Sequence, residues 1–327
     1  MLSPASQART DFCASQAKTT FMETSAGQQT ILVTGAAGLL GSRVVPLLSH
    51  NVPDCRIIAV SRRESYVSHD PRVEVIYGDL RDEQLWTRLP DNITKVIHLA
   101  AMIPWRQEQK SQSSVVQDNL QPITNLIEYS QRWPKLQQVI YSSSISVYEQ
   151  TNELLNEQSP TRPDSLYGVA KLRGEDLLHC LNVKGVAIVS LRFSSLYARG
   201  QYQGTVLPIM VRRAQQGQDI LIFGDGMRTQ DFLHCEDAAN AVLLTLKSTT
   251  RGIYNIGSGT STTMTGLAEK ISSVFSDGKA KIVYQPERAD GNAGIRLDVS
   301  KARDELNYQP QISLECGLRK LKQEMES

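Results

Sequence analysis

The stretch Thr34-Gly35-Ala36-Ala37-Gly38-Leu39-Leu40-Gly41 constrains this chain more than any other. It follows an apolar run over residues 30–34 that reads as a strand, and it opens a segment over 39–49 with helical spacing. Glycines at GxxGxxG spacing between strand and helix meet three needs. They allow a tight turn, let backbone approach a pyrophosphate, and let the helix pack close on the strand. The N–H groups at the helix start then face the phosphates. A glycine-rich turn with no ligand is the competing reading, and the place of the turn near the start of a strand–helix series weighs against it.

That series continues. Strands are expected at 56–61, 73–77, 95–98, 138–142 and 186–192, and helices at about 113–132 and 165–182. Short apolar strands separated by helices mean βαβ units and a parallel sheet, and right-handed crossovers put helices on both faces. After Arg192 the rhythm loosens. A helix at 206–216, a strand at 220–223, a helix at 236–247, strands at 253–256 and 281–284 and two C-terminal helices follow, with glycine turns at Gly224-Asp225-Gly226 and Gly257-Ser258-Gly259. The fold class is α/β: a doubly wound parallel sheet of the Rossmann type with a smaller C-terminal α/β part. Residues 30–191 and 229–256 form the dinucleotide-binding domain, and 192–228 with 257–327 form the substrate domain.

Residues 1–29 are rich in Ser, Thr, Ala and Gln and lack apolar periodicity, so they read as a flexible tail. They contain no continuous apolar segment of the secretory kind. Their only acidic residues are Asp11 and Glu23, which leaves room for a transit peptide, and Met22 offers an alternative start. The charge is balanced, 35 basic against 34 acidic residues, so neither nucleic acid nor an anionic membrane surface is an expected partner. No stretch approaches the roughly 18 apolar residues of a membrane span, and a cytoplasmic location is expected. The cysteines at 13, 55, 180, 235 and 316 are odd in number and form no CxxC pair, so neither a disulfide framework nor a metal site is expected. His179-Cys180 and His234-Cys235 are adjacent in sequence, and adjacent side chains diverge.

The end of the second strand selects the cofactor. Val60-Ser61-Arg62-Arg63 places no carboxylate there to repel a 2′-phosphate, and two guanidinium groups stand ready to pair with one. NADP is therefore favoured over NAD. The competing reading makes Arg62 and Arg63 solvated surface charges, with Glu64 beside them.

Tyr167 and Lys171 lie four apart on an expected helix and so share a face. A phenol titrates near 10 unaided, and a nearby ammonium is expected to lower that value and make the tyrosine a usable acid/base. Before this helix, a strand ends in Tyr141-Ser142-Ser143-Ser144, at the edge where an open parallel sheet places ligands. The Ser144 hydroxyl there can hold a substrate oxygen during hydride transfer.

In these motifs the chain resembles an extended short-chain dehydrogenase/reductase of the NAD-dependent epimerase/dehydratase family. The resemblance runs from Thr30 to about residue 320. Besides the glycine turn it is carried by Gly78-Asp79-Leu80, His98-Leu99-Ala100-Ala101, Ser142–Tyr148, Tyr167 to Lys171, Leu191-Arg192-Phe193, GDGMRTQDFLHCED at 224–237, Tyr254-Asn255-Ile256-Gly257 and Asp298-Val299-Ser300-Lys301-Ala302. It implies that Gly35, Gly38, Leu39, Leu40 and Gly41 surround the pyrophosphate and that Asp79 and Leu80 hold the adenine. Ser61, Arg62 and Arg63 would bind the adenosine ribose, and Leu99, Ala100 and Ala101 would run along the cofactor. Ser144, Tyr167 and Lys171 would be catalytic, with Lys171 also gripping the nicotinamide ribose. Asn119 would be structural.

The resemblance further implies a homodimer built on the helices at 113–132 and 165–182, and a nucleotide-sugar-like substrate. Ser144-Ile145-Ser146 lacks the carboxylate that follows the serines in family dehydratases, so epimerisation or 4-keto reduction is expected rather than dehydration. Three positions that usually grip the substrate differ: Ser195 and Thr205 stand where the family has Asn, and Gln230 where it has Arg. The loop usually reading Tyr-Gly-Pro is Tyr197-Ala198-Arg199. Arg288, Arg212 and Arg213 are candidate phosphate partners. Two rival readings remain, a reductase of a non-nucleotide carbonyl and a dinucleotide-sensing binding protein. The intact Ser144, Tyr167 and Lys171 count against the second.

Overall fold

The computed structural model describes residues 29–103, 112–149, 151–181, 185–288 and 294–326. The tail expected at 1–29, with Met22 and Cys13, lies outside them except for Gln29, which opens the first strand one residue earlier than expected.

Seven parallel strands form the central sheet: β1 (Gln29–Thr34), β2 (Cys55–Ser61), β3 (Val73–Tyr77), β4 (Lys95–His98), β5 (Gln138–Ser144), β7 (Ala187–Phe193) and β11 (Gly252–Ile256). Their spatial order is β11-β7-β5-β4-β1-β2-β3, and every neighbouring pair runs parallel. Side chains alternate between the two faces. Ile31 and Val33 of β1 enter one core with Val44, Val45 and Leu48 of α1 (Gly41–Asn51) and Ala238 and Val242 of α6 (Cys235–Lys247). Leu32 enters the other core with Trp86 of α2 (Glu83–Thr87), Leu126 of α3 (Gln112–Tyr129) and Leu178 of α4 (Leu166–His179). Burial on both faces explains why these strands read as continuous apolar runs. Each such aliphatic side chain contributes about 1.5–3 kcal/mol when fully buried. A charge at Leu32, which has no exposed surface, would break the sheet near its centre.

Three smaller sheets sit beyond the carboxyl edge. In the first, β10 (Thr229–His234) lies between β8 (Ser195–Tyr197), which is parallel to it, and β12 (Ser261–Thr263), which is antiparallel. The others are β9 (Ile220–Phe223) with β13 (Ile282–Gln285), and β6 (Leu154–Leu155) with β14 (Arg296–Leu297). A separate core fills the space between α5 (Val206–Gln215), α7 (Met264–Ser276) and α9 (Leu314–Glu326), built on Leu207, Val211, Ile222, Leu267, Ile271 and Leu318. The second C-terminal helix expected is α8 (Ser300–Leu306).

Several boundaries differ from the sequence reading. The first helix starts at Gly41 rather than 39: Gly38 N–H donates to the Gly35 carbonyl at 2.9 Å and closes a turn through Ala36 and Ala37, and Leu40 is the residue that precedes the helix. The α3 helix ends at Tyr129 and tightens into a 3-10 turn over Ser130–Arg132. The short elements α2, β6, β8, β12 and β14 had no periodic signal of their own.

Candidate active site

The strand order reverses between β1 and β4, and a cleft opens there at the carboxyl ends of the strands. It is about 1050 Å³ in volume and continues past the sheet to β8 and β10. One wall is the glycine turn. Gly35 has φ of 71°, and a Cβ on it would stand 2.7 Å from Ala100 N and 2.8 Å from Ala100 Cα. A Cβ on Gly41 would run into the Gly35 carbonyl oxygen and stand 2.8 Å from Ala36 Cα. The turn therefore brings bare backbone to the cleft, as a pyrophosphate requires. No side chain caps α1 and no acidic residue occupies its first turn, so its N-terminal field stays available to an anion. The residues present fit a dinucleotide.

Gly35, Gly38, Leu39, Leu40 and Gly41 all line this cleft. Ser61, Arg62 and Arg63 line it at the end of β2. Ser61 Oγ accepts from Arg63 N–H at 2.9 Å and donates to Arg63 O at 3.0 Å, while Arg63 Nη1 donates to Ala37 O at 3.3 Å. Both arginine side chains are exposed. Asp79 and Leu80 form the floor beneath them. The Asp79 carboxylate accepts from Arg81 Nη2 at 2.7 Å, and Arg81 Nη1 reaches Asp118 at 2.6 Å. The Arg81 guanidinium holds the Asp79 carboxyl below its usual range. Leu99, Ala100 and Ala101 follow β4 along the opposite side. Asn119 clamps this segment: its Oδ1 accepts from Met102 N–H at 3.0 Å, and its Nδ2 donates to Met102 O at 2.8 Å.

Ser144 ends β5, and Tyr167 lies in the first turn of α4; both line the cleft. Ser165 caps that helix, accepting from Gly168 N–H at 3.1 Å. Ser144 Oγ accepts from Ser146 N–H at 3.1 Å and donates to Ser146 Oγ at 3.1 Å. Lys171 sits one turn deeper and is 1 % exposed. Its Nζ donates to Ser142 O at 2.5 Å, stands 4.8 Å from the Tyr141 ring centroid, and is 5.7 Å from that of Tyr167. Burial lowers the Lys171 amine to about 7, with the Glu175 carboxylate working the other way.

The Lys171 ammonium does not lower the Tyr167 phenol as the i, i+4 spacing suggests. Burial pushes the Tyr167 phenol above its usual value, and it is the Ser144 hydroxyl that favours the phenolate by hydrogen bonding, not the ammonium. Lys171 Nζ donates to the Ser142 carbonyl, and its own charge is weakened by desolvation.

Below Lys171 lies a buried polar network that the sequence reading missed. Glu175 pairs with Arg192 through Nε–Oε1 at 2.9 Å and Nη2–Oε2 at 2.7 Å, and also accepts from Ser143 Oγ. Arg192 Nη1 donates to the Tyr148 hydroxyl at 2.8 Å, which donates to Asn255 Oδ1 at 2.8 Å. The available signal was an acid four residues after Lys171 on the helix and an arginine inside the apolar strand Leu191-Arg192-Phe193.

At the far end, Ser195, Thr205 and Gln230 all line the cleft. Gln230 Nε2 donates to Ser195 Oγ, and Gln201 Nε2 donates to Thr205 Oγ1 at 3.1 Å. Arg228, Gln201 and Asp164 line the cleft too and had not been singled out. Arg213 turns away, donating to the Asp219 carbonyl, and neither it nor Arg212 is among the residues lining the cleft. The backbone of Arg288 ends a short 3-10 turn, Pro286–Arg288, and its side chain lies outside the described residues. Tyr197 is fully buried, and the Arg199 carbonyl accepts from Arg43 Nη2 at 2.7 Å, tying that loop to α1.

Residues 31–257 match the model of the family described as NAD dependent epimerase/dehydratase. A putative UDP-glucose 4-epimerase of Methanocaldococcus jannaschii is 30 % identical over 297 residues, covering 89 % of this chain and 96 % of the relative. Among solved structures, a UDP-N-acetylglucosamine 4-epimerase from Methanobrevibacter ruminantium, in complex with UDP-N-acetylmuramic acid, superposes with a TM-score of 0.81 at 25 % identity, over 91 % of this chain and 98 % of that one. A mutant UDP-glucuronic acid 4-epimerase from Bacillus cereus, in complex with UDP-4-deoxy-4-fluoro-glucuronic acid and NAD, gives 0.81 at 25 % identity, over 91 % and 99 %. With the parallel sheet, the glycine turn and the Ser144–Tyr167–Lys171 cluster in place, the chain belongs to the NAD dependent epimerase/dehydratase family.

Proposed function

We propose that this enzyme changes the configuration or oxidation state of a secondary alcohol on a nucleotide sugar by hydride transfer, with epimerisation at C4 the leading reaction. The observation that carries the reading is the shared wall of Ser144 and Tyr167, which faces the same cleft as the glycine turn. A nicotinamide dinucleotide bound along Gly35–Gly41 supplies the hydride acceptor and donor. The chain's own residues do the rest. The Ser144 hydroxyl holds the reacting oxygen. Tyr167, its phenol protonated at rest, donates a proton to a carbonyl oxygen and takes one from a hydroxyl in the reverse direction. Lys171, near its titration midpoint at neutral pH, is anchored on the Ser142 carbonyl and holds the nicotinamide ribose. Residues 30–191 with 229–256 hold the cofactor and 192–228 with 257–327 the substrate, except that β10, at the start of 229–256, pairs in the small sheet and carries Gln230 to the substrate side. The active species is a homodimer in the cytoplasm.

A second reading is favoured by one observation: β2 ends in Ser61 rather than a carboxylate, and Arg62 and Arg63 line the cleft just after it. Two guanidinium groups there suit the 2′-phosphate of NADP. An enzyme that consumes NADPH in each turnover is a 4-ketoreductase rather than an epimerase. Incubation with UDP-, dTDP-, GDP- and CDP-sugars, following both product configuration and absorbance of the reduced cofactor, separates the two. Epimerisation predicts interconverted sugars with no net cofactor oxidation. Stoichiometric oxidation of NADPH, and NADPH binding at least tenfold tighter than NADH, would establish the reductase instead. If no nucleotide sugar is converted, the assignment fails.

A further inference from the structure

The substrate end of the cleft is built almost entirely from neutral groups. Gln230 is tied to Ser195 and Gln201 to Thr205, so amides and hydroxyls satisfy one another there. Among the described residues lining the cleft beyond β7, Arg228 is the only cation.

Its place follows from the strand. Side chains alternate along β10, and Asp231 points away from the cleft, accepting from Ser258 N–H at 2.9 Å and Gly259 N–H at 3.0 Å. Gln230, on the other face of β10, and Arg228, just before the strand begins, both line the cleft. They stand two residues apart, or roughly 6.6 Å along the strand. The Arg228 backbone is pinned where β12 meets α7, since its carbonyl accepts from Met264 N–H at 3.0 Å. Its Nη2 lies 3.5 Å from Met264 Sδ, so the guanidinium rests on an apolar support. One buried oxygen on this wall, Gln201 Oε1, has no hydrogen-bond partner, which marks the wall as one that a polar ligand completes.

We propose that Arg228 fixes the diphosphate of the substrate, while the neutral Gln230–Ser195 pair contacts the uncharged part that lies beside it. A planar guanidinium offers two parallel N–H donors to a phosphate, which neither Gln nor Ser can match. The proposal rests on the nucleotide-sugar reading given above and adds which residue recognises the anion.

The test is titration of the cofactor-loaded protein with UDP, dTDP, GDP and CDP, and with the parent nucleosides, by calorimetry. Wild type should bind at least one nucleoside diphosphate. Arg228→Gln should weaken that binding about 10- to 100-fold, the loss of a charge-assisted phosphate contact, and Arg228→Lys should fall between the two. Binding of the parent nucleoside should be the same in wild type and Arg228→Gln. Equal diphosphate binding in wild type and Arg228→Gln would overturn the proposal and leave the nucleotide-sugar reading standing. So would a loss of nucleoside binding as large as the loss of diphosphate binding, since Arg228 would then act through the shape of the wall. If wild type binds none of the four diphosphates, the underlying reading fails, and the proposal with it.

Discussion

Replacing Glu175 by Gln removes a charge where water cannot compensate. The Glu175 and Arg192 side chains are 6 % and 3 % exposed, and their pairing is bidentate. Glutamine keeps the shape but turns an N–H donor toward the guanidinium donors and leaves Arg192 without a counter-charge. Breaking a buried pair from one side costs about 3–5 kcal/mol. A folded domain holds only about 5–15 kcal/mol in total, so the variant should lose roughly a fifth of its stability or more. The loss should appear as a lower urea midpoint by circular dichroism at pH 7.5, with cofactor either absent or saturating in both samples. Because Glu175 also raises the Lys171 amine, its removal should move the Lys171 titration below about 7. Glu175→Met combined with Arg192→Met leaves no buried charge and should recover part of the stability. An Glu175→Gln protein within about 1 kcal/mol of wild type, well inside that penalty, would refute the claim that the pair is buried and coupled. A double variant weaker than the two single losses added would refute it too.

Tyr167→Phe keeps the ring and removes the proton, so turnover should fall by about 10² to 10⁴ with cofactor binding retained in fluorescence titration; near-normal turnover would remove Tyr167 from the chemistry. His98 is buried, its Nδ1 3.0 Å from Thr34 Oγ1, and burial first, then the Lys171 charge, lowers it to about 3. Below pH 6.5 the unfolded chain takes up a proton that the folded chain refuses, so stability should fall by about 1.4 kcal/mol per pH unit from 6.5 toward 3. His98→Gln should flatten that slope in urea titrations run between pH 7 and 5, and an unchanged slope would contradict the assignment. For the homodimer, Val115, Ile123, Leu126 and Leu178 are buried in the chain's own core, whereas Leu166 and Leu177 are 36 % and 39 % exposed on α4. Light scattering at micromolar concentration should give twice the chain mass, Leu177→Asp should lower it, and a wild-type monomer would end the proposal.

What the sequence disclosed was local. The glycine turn could be read because its three glycines, strand and helix fall within twenty residues, and each constraint acts on its neighbours. Tyr167 and Lys171 were legible as an i, i+4 pair. What Lys171 touches was not, because the Ser142 carbonyl comes from a strand 29 residues away. Glu175 was equally visible, but its partner Arg192 lies on β7, and only sheet formation brings the two together. The wall at the far end of the cleft was the least legible part. Its small sheet pairs Phe232 with Ser195 and Gln230 with Thr262, contacts whose registers no local periodicity encodes.

The joints between the large and small sheets bear on how such enzymes can be re-engineered. A single residue, Ser194, separates β7 from β8, and β10 passes into α6 without a break, His234 being the N-cap. Four residues join β11 to β12. The wall proposed to meet the substrate is thus drawn from three separate stretches, each anchored within a few residues to a strand of the large sheet or to a helix packed on it. A chimera that imports one contiguous cassette from a relative would bring one strand and leave its two neighbours mismatched. Transplanting specificity here calls for exchanging 195–197, 229–234 and 261–263 together, with the residues that fix their register.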